Sequence, residues 1–363
     1  MRRFIRFYLN DNHMDFLKTS KYFLLLISGL ISLKCTCDEI NYCGSYDDVV
    51  ILDTQEKVDN FRKTLSDDCN CFLGTIQIRG NVSNLSGLSF LKTIGGIDIL
   101  QTQLKDLDGL QNLEVVYNDL SLSTAESLVS IKQLSSLKYV GRDLFLSRLN
   151  AMENMEGMEA LTVVNRNLVV SANNKLKMIT GFNTLNKIGG HFILSGHFVL
   201  DDVVGFRALS EVAELLKIYE NKTLVNLAGL KNLKSIGTDL IIEKNDSLVD
   251  MKGLSGLDTI GESISLEGNL QLREIGFSLP ITKINEALII KDNPELLNID
   301  GLKNLTSLKT SLELVNNSKL SACCGLFNLL NSNGVGSSIT IQGNQLGCNS
   351  VAEILQAGIA NCN

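Results

Sequence analysis

A repeat of about 24 residues constrains this chain more than any other feature of its sequence. Short apolar triplets recur at that constant spacing, and their last residues are Leu122, Leu146, Val170, Leu194, Ile218, Ile242, Leu266, Ile290 and Leu314. Ile78 and Ile99 extend the series upstream with slightly shorter steps, and Ile341 follows downstream after a slightly longer one. A triplet that alternates inward and outward is a short strand, and a regular return to the same position stacks each strand in parallel on the last. The series predicts twelve stacked coils.

The fold class that follows is mainly β. We expect a right-handed parallel β solenoid with coils of about 24 residues, closed by small helical, disulfide-bonded caps. The expected organisation is a leader at 1–34, an N-terminal cap at 35–72, solenoid repeats at 73–320 and a C-terminal cap at 321–363 that includes the last strand. Gly189, Gly237 and Gly261 stand where the chain turns into the next strand, so we expect positive φ angles there.

An asparagine column runs three residues past most triplets. Its members are Asn81, Asn173, Asn221, Asn245, Asn269, Asn293, Asn317 and Asn344. An inward asparagine repeated at one corner can donate and accept along the stack, so the column predicts a buried ladder rather than a row of ligands or glycosylation sites. Thr102, Ala125, Leu149 and His197 interrupt the column, and we expect those four coils to be looser or reshaped.

The two ends differ from the repeats. Residues 49–52 predict a first strand, and Thr54 followed by 55–65 predicts a capped amphipathic helix with Val58, Phe61 and Leu65 on one face. At the other end, 323–330 and 350–356 predict short helices on either side of a last strand at 339–341. We expect both caps to prevent end-to-end addition of strands.

Cysteines occur only at the two ends of the chain. Apart from Cys35, four lie before residue 72 and four after residue 322, and an even count at each end is typical of two disulfides per end in an exported protein. Three pairings are possible within each set of four. A thiolate metal site at Cys37, Cys43, Cys69 and Cys71 is the rival interpretation, but its spacing lacks paired C-x-x-C elements.

The N-terminus has the pattern of an export signal. Lys18 and Lys21 precede the apolar run 22–33, which has the length of a signal-peptide core and is short for a membrane span. Residues 1–13 are either an extended basic leader or the product of an early start codon. The expected location is therefore extracellular or on the outer cell surface.

Composition excludes several classes of function. The formal net charge is -7, so an acidic body repels nucleic acid. The chain has no tryptophan and 6% aromatic residues, which disfavours a carbohydrate module built on aromatic platforms. Beyond the leader only His191 and His197 remain, too few for a nucleophilic arrangement with its base. We expect no enzyme, cofactor or metal, although His197 with Asp201 and Asp202 is a candidate cluster.

The repeat resembles a known family. The motif Leu-x-x-Leu-x-Gly-Leu-x-x-Leu-x-x-Ile-Gly-x-x-Leu-x-Ile-x-x-Asn, as at 224–245, resembles the receptor L-domain type of leucine-rich solenoid. The segment 323–350 is similar to the close of exported repeat proteins of marine Bacteroidetes. That resemblance implies a surface protein, and lipid anchoring would place the acyl chain on Cys35 or Cys37.

A surface patch is the remaining functional feature. The middle residues of three successive triplets, Phe145, Val169 and Ile193, are apolar, and Lys217 and Tyr219 follow in the next coil. These five residues form the predicted binding site for a protein or glycan partner. The alternatives are a structural or adhesive envelope protein without a discrete ligand and, least favoured, a β-helix polysaccharide lyase or hydrolase.

Overall fold

The computed structural model describes residues 42–275 and 280–361 of the chain. The predicted leader, Cys35 and Cys37 lie outside these ranges, as does Cys362. Within them, no helix is both long enough and apolar enough to cross a bilayer.

The main sheet consists of parallel strands, one per coil. Numbered in chain order together with the shorter strands, they are β2 (Val49–Thr54), β3 (Cys71–Asn81), β4 (Thr93–Thr102), β6 (Leu120–Ser123), β8 (Leu144–Ser147), β11 (Leu168–Ser171), β14 (Phe192–Ser195), β16 (Leu216–Tyr219), β18 (Leu240–Glu243), β20 (Ile264–Glu267), β22 (Leu288–Lys291), β24 (Leu312–Val315) and β25 (Ile339–Gln342). Leu168 pairs with Leu144 on one side and with Phe192 on the other, so each strand pairs with the strands exactly one repeat before and after it, as predicted. The parallel β solenoid is therefore confirmed, with all twelve predicted triplets in strands.

Two-residue strands form the other corners of the coils. They are β1 (Tyr42–Cys43), β5 (Val115–Val116), β7 (Tyr139–Val140), β9 (Asn154–Met155), β10 (Val163–Val164), β12 (Met178–Ile179), β13 (Lys187–Ile188), β15 (Glu211–Val212), β17 (Ser235–Ile236), β19 (Thr259–Ile260), β21 (Lys283–Ile284) and β23 (Ser307–Leu308). Short 3-10 helices return the chain, at Phe61–Thr64, Ser86–Leu88, Lys132–Ser136, Val204–Phe206, Ala228–Leu230, Lys252–Leu254, Asp300–Leu302 and Cys324–Leu326.

The apolar core runs the length of the stack. Each coil contributes inward leucines and isoleucines from its strand and from its 3-10 side, and Leu240, Ile242 and Leu254 are at most 1% exposed. A single coil cannot bury these side chains alone, so stability comes from contacts between neighbouring coils.

The asparagine ladder is confirmed through the second half of the solenoid. Asn245 N–H donates to Asn269 Oδ1 at 3.1 Å, while Asn269 Nδ2 donates to Ile242 O at 2.8 Å and to Glu267 O at 3.4 Å. Asn293 and Asn317 repeat this pattern. Of these contacts, the side chain of Asn221 makes only the donating one, from Nδ2 to Leu194 O, because its buried Oδ1 has no hydrogen-bond partner. All of these amides are 0% exposed. Each amide other than that of Asn221 thus satisfies buried peptide groups of two coils that no strand reaches.

Asn81 is not part of this ladder. The register between β3 and β4 shifts between Ile78 and Gly80, and as a result Asn81 is exposed while Val82 is buried. Among the four interrupted coils, the one with Thr102 is reshaped as expected, since the β3–β4 register shifts there and the Thr102 hydroxyl is buried without a hydrogen-bond partner. The expectation is wrong for the next two coils. Ala125 and Leu149 are fully buried at their ladder positions, and β6 and β8 stay in unbroken register.

The glycines at the strand entrances have a different role from the one predicted. Gly189, Gly237 and Gly261 are not among the residues with positive φ. A Cβ atom on Gly237 would stand 1.7 Å from Ala213 O, and one on Gly261 would stand 1.8 Å from Gly237 O. These positions need glycine because the backbones of adjacent coils approach closely.

The left-handed corner lies instead two residues past each triplet. Non-glycine residues occupy it in most coils, and in the remaining coils a glycine takes the same place: Gly80, Gln101, Thr124, Arg148, Ala172, Gly196, Glu220, Lys244, Gly268, Asp292, Asn316 and Gly343. A left-handed backbone costs an ordinary residue about 1–2 kcal/mol. The ladder asparagine follows this residue immediately. Its side-chain amide donates to the carbonyl of the residue that precedes the corner, as Asn269 does to Glu267 O.

Helices and disulfides close both ends, although the predicted helix at 55–65 ends at Asn60 and continues as a 3-10 turn, and a second N-terminal disulfide stays a prediction because Cys37 lies outside the described residues. Thr54 Oγ1 accepts from Lys57 N–H at the start of α1 (Gln55–Asn60), and Val58 and Phe61 are buried. α2 (Phe327–Asn331) and α3 (Val351–Asn361) form the C-terminal cap. Disulfides join Cys43 to Cys69 and Cys323 to Cys348, and Cys324 is also disulfide-bonded. Cys43 and Cys69 are therefore not thiolate metal ligands.

The C-terminal cap does not block strand addition, contrary to expectation. α3 packs on α2 and on the neighbouring 3-10 turn, whereas β25 pairs only with β24 among the described strands. The last strand therefore presents an open edge.

We expect Asn269→Ala to destabilise the protein by about 3 kcal/mol, because Asn245 N–H and Ile242 C=O would be left buried without partners. The shift of the urea midpoint measures this loss. Asn232→Ala is the matched control, since this exposed amide also donates to the neighbouring coil, at Arg207 O, and should cost less than about 1 kcal/mol. Equal losses in the two variants would contradict the role assigned to burial.

Candidate functional site

The candidate site lies on the outward face of the main sheet, which we call the sheet face. Phe145 stands directly opposite Val169, Val169 opposite Ile193, and Ile193 opposite Lys217, each in a neighbouring parallel strand. All four side chains are half-buried. The structure thus brings the predicted apolar residues together as one row across three adjacent coils. It does not test whether they bind a partner.

A row of serines borders the apolar row. Ser123, Ser147, Ser171 and Ser195 occupy the next outward position in four consecutive strands, and Ser171 Oγ donates to Ser147 Oγ at 3.0 Å. Small side chains here leave one flank of the apolar row open. Sequence reasoning missed this row, although its regular spacing is visible in the sequence.

The next coils contribute a charged cluster around Tyr219. The ammonium groups of Lys217 and Lys244 lie 4.9 Å and 5.4 Å from the centre of the Tyr219 ring, a distance at which cations are attracted to aromatic faces. Lys217 Nζ is also 3.3 Å from Glu243 Oε2. The Tyr219 hydroxyl donates to Glu220 Oε1 at 2.6 Å, and this hydrogen bond raises the pKa of Tyr219 to about 12. Tyr219 therefore stays protonated and held in place at neutral pH.

Glu243 and Lys244 were not predicted as site residues. Glu243 pairs with Tyr219 across the strands, so it occupies the tyrosine's position one coil further along. Counting one repeat of 24 residues from Tyr219 would have identified Glu243 from the sequence. The resulting surface has an apolar centre and, beside it, two fixed cations balanced by carboxylates.

The carboxylates at the strand entrances are structural. Asp119 Oδ1 accepts from Asp143 N–H at 3.0 Å, and Asp143 Oδ1 accepts from Asn167 N–H at 3.1 Å. Asn167 Oδ1 in turn accepts from His191 N–H at 2.8 Å. These side chains form a second file along the stack, in which each one binds the backbone of the following coil. Asp143 is additionally held by a two-pronged hydrogen bond from Arg166.

A β-helix polysaccharide lyase would use carboxylates that bind calcium, and the carboxylates of this second file are arranged differently. They bind backbone amides and Arg166 instead of converging on one point, as calcium requires. In the two ranges of residues that the structure describes, no three His, Cys, Asp or Glu side chains are grouped so as to hold a metal ion.

His197 does not form a cluster with Asp201 and Asp202. Its ring is 0% exposed and occupies the ladder position, where Nδ1 accepts from Asn173 N–H at 3.3 Å and Nε2 donates to Val170 O at 3.2 Å. These are the same two contacts that a ladder asparagine makes, so the ring replaces the amide and the neutral Nε2–H tautomer is required. The expectation that His197 interrupts the ladder is wrong for this reason. Burial lowers the pKa of His197 to about 4.

Comparisons with known proteins identify no family. A scan against protein-family models finds no match, and neither does a search of curated proteins. Among solved structures, the crystal structure of an internalin (InlF) from Listeria monocytogenes aligns with 70% of this chain and 79% of that one. The identity is 16% and the TM-score is 0.34. The assignment of a leucine-rich parallel solenoid rests on the strand pairing of this chain itself.

We expect His197 to make the protein sensitive to acid. The histidine of an unfolded chain titrates near 6.5, so between that pH and about 4 the unfolded state takes up a proton that the folded state refuses. Stability is complete above 6.5 and falls as the pH falls, by about 2–3 kcal/mol at pH 4.5. Urea unfolding of His197→Asn should lack this part of the loss.

The half-buried His191 supplies the control for that experiment. His191→Asn should retain the acid sensitivity of the wild type, because its ring is not enclosed by the ladder. Parallel pH profiles for the wild type and His197→Asn would show that the buried ring does not control the response.

Proposed function

We propose that this protein is a non-enzymatic binding protein of the cell exterior that binds a protein partner on its sheet face. The observation that carries the proposal is the direct opposition of Phe145, Val169 and Ile193 across three paired strands. A rigid row of apolar side chains beside fixed charges is the arrangement found at the centre of protein–protein interfaces, where an apolar core is rimmed by polar groups.

A protein partner fits this surface better than a glycan. Sugar rings stack on open aromatic faces, and Tyr219 is the aromatic residue nearest the apolar row on its charged side. Its ring already faces two lysine ammonium groups. The row itself offers two aliphatic side chains and one phenyl ring, which suit an apolar side chain of a protein or peptide.

Export is part of the proposal. The leader pattern at 1–34 and the disulfides Cys43–Cys69 and Cys323–Cys348 support it, since disulfides persist outside the reducing cytoplasm. The resemblance to receptor L-domains and to exported repeat proteins is in keeping with this location. Mass spectrometry of the mature N-terminus distinguishes a cleaved, secreted chain from one acylated at Cys35 or Cys37.

We expect Val169→Asp to abolish binding through the sheet face, because it places a carboxylate in the middle of the apolar row. Peptides selected from a displayed random library on the wild-type protein are the probe. Their affinity for Val169→Asp, measured by biolayer interferometry, should fall at least tenfold. Val225→Asp is the matched control, since Val225 is 44% exposed and lies outside the main strands.

Two outcomes would contradict the proposal. Selected peptides that bind Val169→Asp as tightly as the wild type would remove the apolar row from consideration. Binding to a glycan array that is lost in Tyr219→Ala but kept in Val169→Asp would assign the sheet face to a sugar ligand instead.

A further inference from the structure

The last coil of the solenoid differs from the rest in charge. Between Lys319 and Glu353 the chain contains no Asp, Glu, Lys, Arg or His, whereas charged residues make up 20% of the whole sequence. No other stretch of comparable length in the chain is uncharged. This segment includes β25 and the loop that follows it. Native proteins usually place charges or proline on an exposed sheet edge to prevent pairing with another chain, and this edge carries neither.

The end of the solenoid is also apolar. Ile339 is 43% exposed although it aligns with Leu312, which is fully buried in β24. Ile341 is half-buried at the position of Leu314, and Leu346, in the following loop, is 85% exposed. The two isoleucines occupy core positions of their strand, so they lie where a further coil would cover them.

Alternate residues of β25 direct their backbone N–H and C=O groups away from β24, to the open edge of the strand. The carbonyl oxygen of Ser338 accepts from Leu312 N–H in β24 at 2.9 Å. The carbonyl oxygen of Gln342 accepts from the N–H of Asn316, directly after β24, also at 2.9 Å. Backbone groups alternate between the two sides of a strand, so the N–H and C=O groups of Ile339 and Ile341 face away from β24. Among the described strands nothing pairs with them.

The last asparagine of the ladder, Asn344, has hydrogen-bond partners within the C-terminal cap and does not depend on a strand added at this edge. Asn344 N–H donates to Asn349 Oδ1 at 3.0 Å, so Asn349 does for the last coil what the next ladder asparagine does elsewhere. Glu353, at the start of α3, accepts from Gly347 N–H and Asn349 N–H. The backbone around Asn344 is therefore satisfied without a further coil. Only the edge of β25, with Ile339 and Ile341, is left open.

We propose that β25 pairs in antiparallel fashion with β25 of a second copy of this chain, which forms a two-fold dimer. With Thr340 opposite Thr340, each Ile339 stands opposite Ile341 of the other copy. This register makes both isoleucine pairs hydrogen-bonded pairs, and the four edge N–H groups donate to the four edge carbonyls. Residues directly opposite share a side of the sheet, so all four isoleucines lie on the core side.

The edge is thus complementary to itself, as a closed two-fold contact requires. The net charge of -7 makes copies repel elsewhere, and an uncharged end is the place where they can approach. Head-to-tail pairing with the N-terminal edge is disfavoured, because β25 carries no charge to pair with the exposed Asp47 and Asp48, which directly precede β2. In the two-fold dimer the sheet is continuous, and both sheet faces point to the same side.

Sedimentation velocity of the full chain, from micromolar to millimolar concentration, tests the proposal. The wild type should form dimers, and Ile339→Lys should remain monomeric because it would bring two ammonium groups into the pairing edge. Ile51→Lys is the matched control at the other end, since Ile51 is 37% exposed on β2. It should dimerise like the wild type. Circular dichroism should show both variants folded.

A cysteine experiment tests the register. In the proposed pairing the two Thr340 residues form a non-hydrogen-bonded pair with Cα atoms about 4.5 Å apart. That distance suits a disulfide, so oxidised Thr340→Cys should give a covalent dimer on a non-reducing gel beyond the wild-type level. Gln342→Cys is the control, because its two copies would lie about 13 Å apart and should not cross-link.

Several results would overturn the proposal. These are a wild type that is monomeric at every concentration, dissociation by Ile51→Lys, growth beyond the dimer, and cross-linking of Gln342→Cys but not Thr340→Cys. None of them depends on binding at the sheet face, so this proposal and the proposed function can fail separately.

Discussion

The structure depends on satisfying buried peptide groups where each strand ends. A solenoid coil must leave its sheet through a tight corner, and the corner residue two positions past each triplet has a left-handed backbone. Its neighbours carry N–H and C=O groups that face the interior, where water cannot reach them. In the coils that carry it, the asparagine ladder supplies partners for these groups, and a single amide side chain contacts both its own coil and the preceding one. In those coils, removing the amide would leave buried backbone groups such as Asn245 N–H and Ile242 C=O without these partners.

The opposite end of the main strands is held by a second file of polar side chains. There Asp119, Asp143 and Asn167 each accept from the backbone of the following coil, whereas ladder asparagines such as Asn173 and Asn269 accept from the preceding one. The two files therefore clamp the strands of the middle coils at both ends and in opposite directions. A rigid strand is the basis of the sheet face, because the spacing of Phe145, Val169 and Ile193 follows the spacing of the strands themselves.

Particular residues show where sequence reasoning worked and where it failed. It placed all twelve strands, the buried amides at Asn221 to Asn317 and the adjacency of Phe145, Val169 and Ile193, because each follows from the constant spacing of the repeat. It failed at Asn81, because a shift in the register between β3 and β4 leaves Asn81 exposed while Val82 is buried. It also failed at His197, since the identity of a histidine does not reveal that its two nitrogens match the two contacts of an amide.

The sequence by itself determined the stacking, since identical apolar positions in every repeat can be buried only if the coils lie in register. It also determined the row that forms the sheet face, because residues at equal positions in stacked strands must be neighbours. The tertiary structure alone decided why Gly237 is glycine, which corner is left-handed, and that β25 keeps an open edge. Those features arise from backbone atoms of different coils that approach within van der Waals or hydrogen-bonding distance. The sequence shows that the glycines recur, but the order of side chains does not reveal which backbone contacts require them.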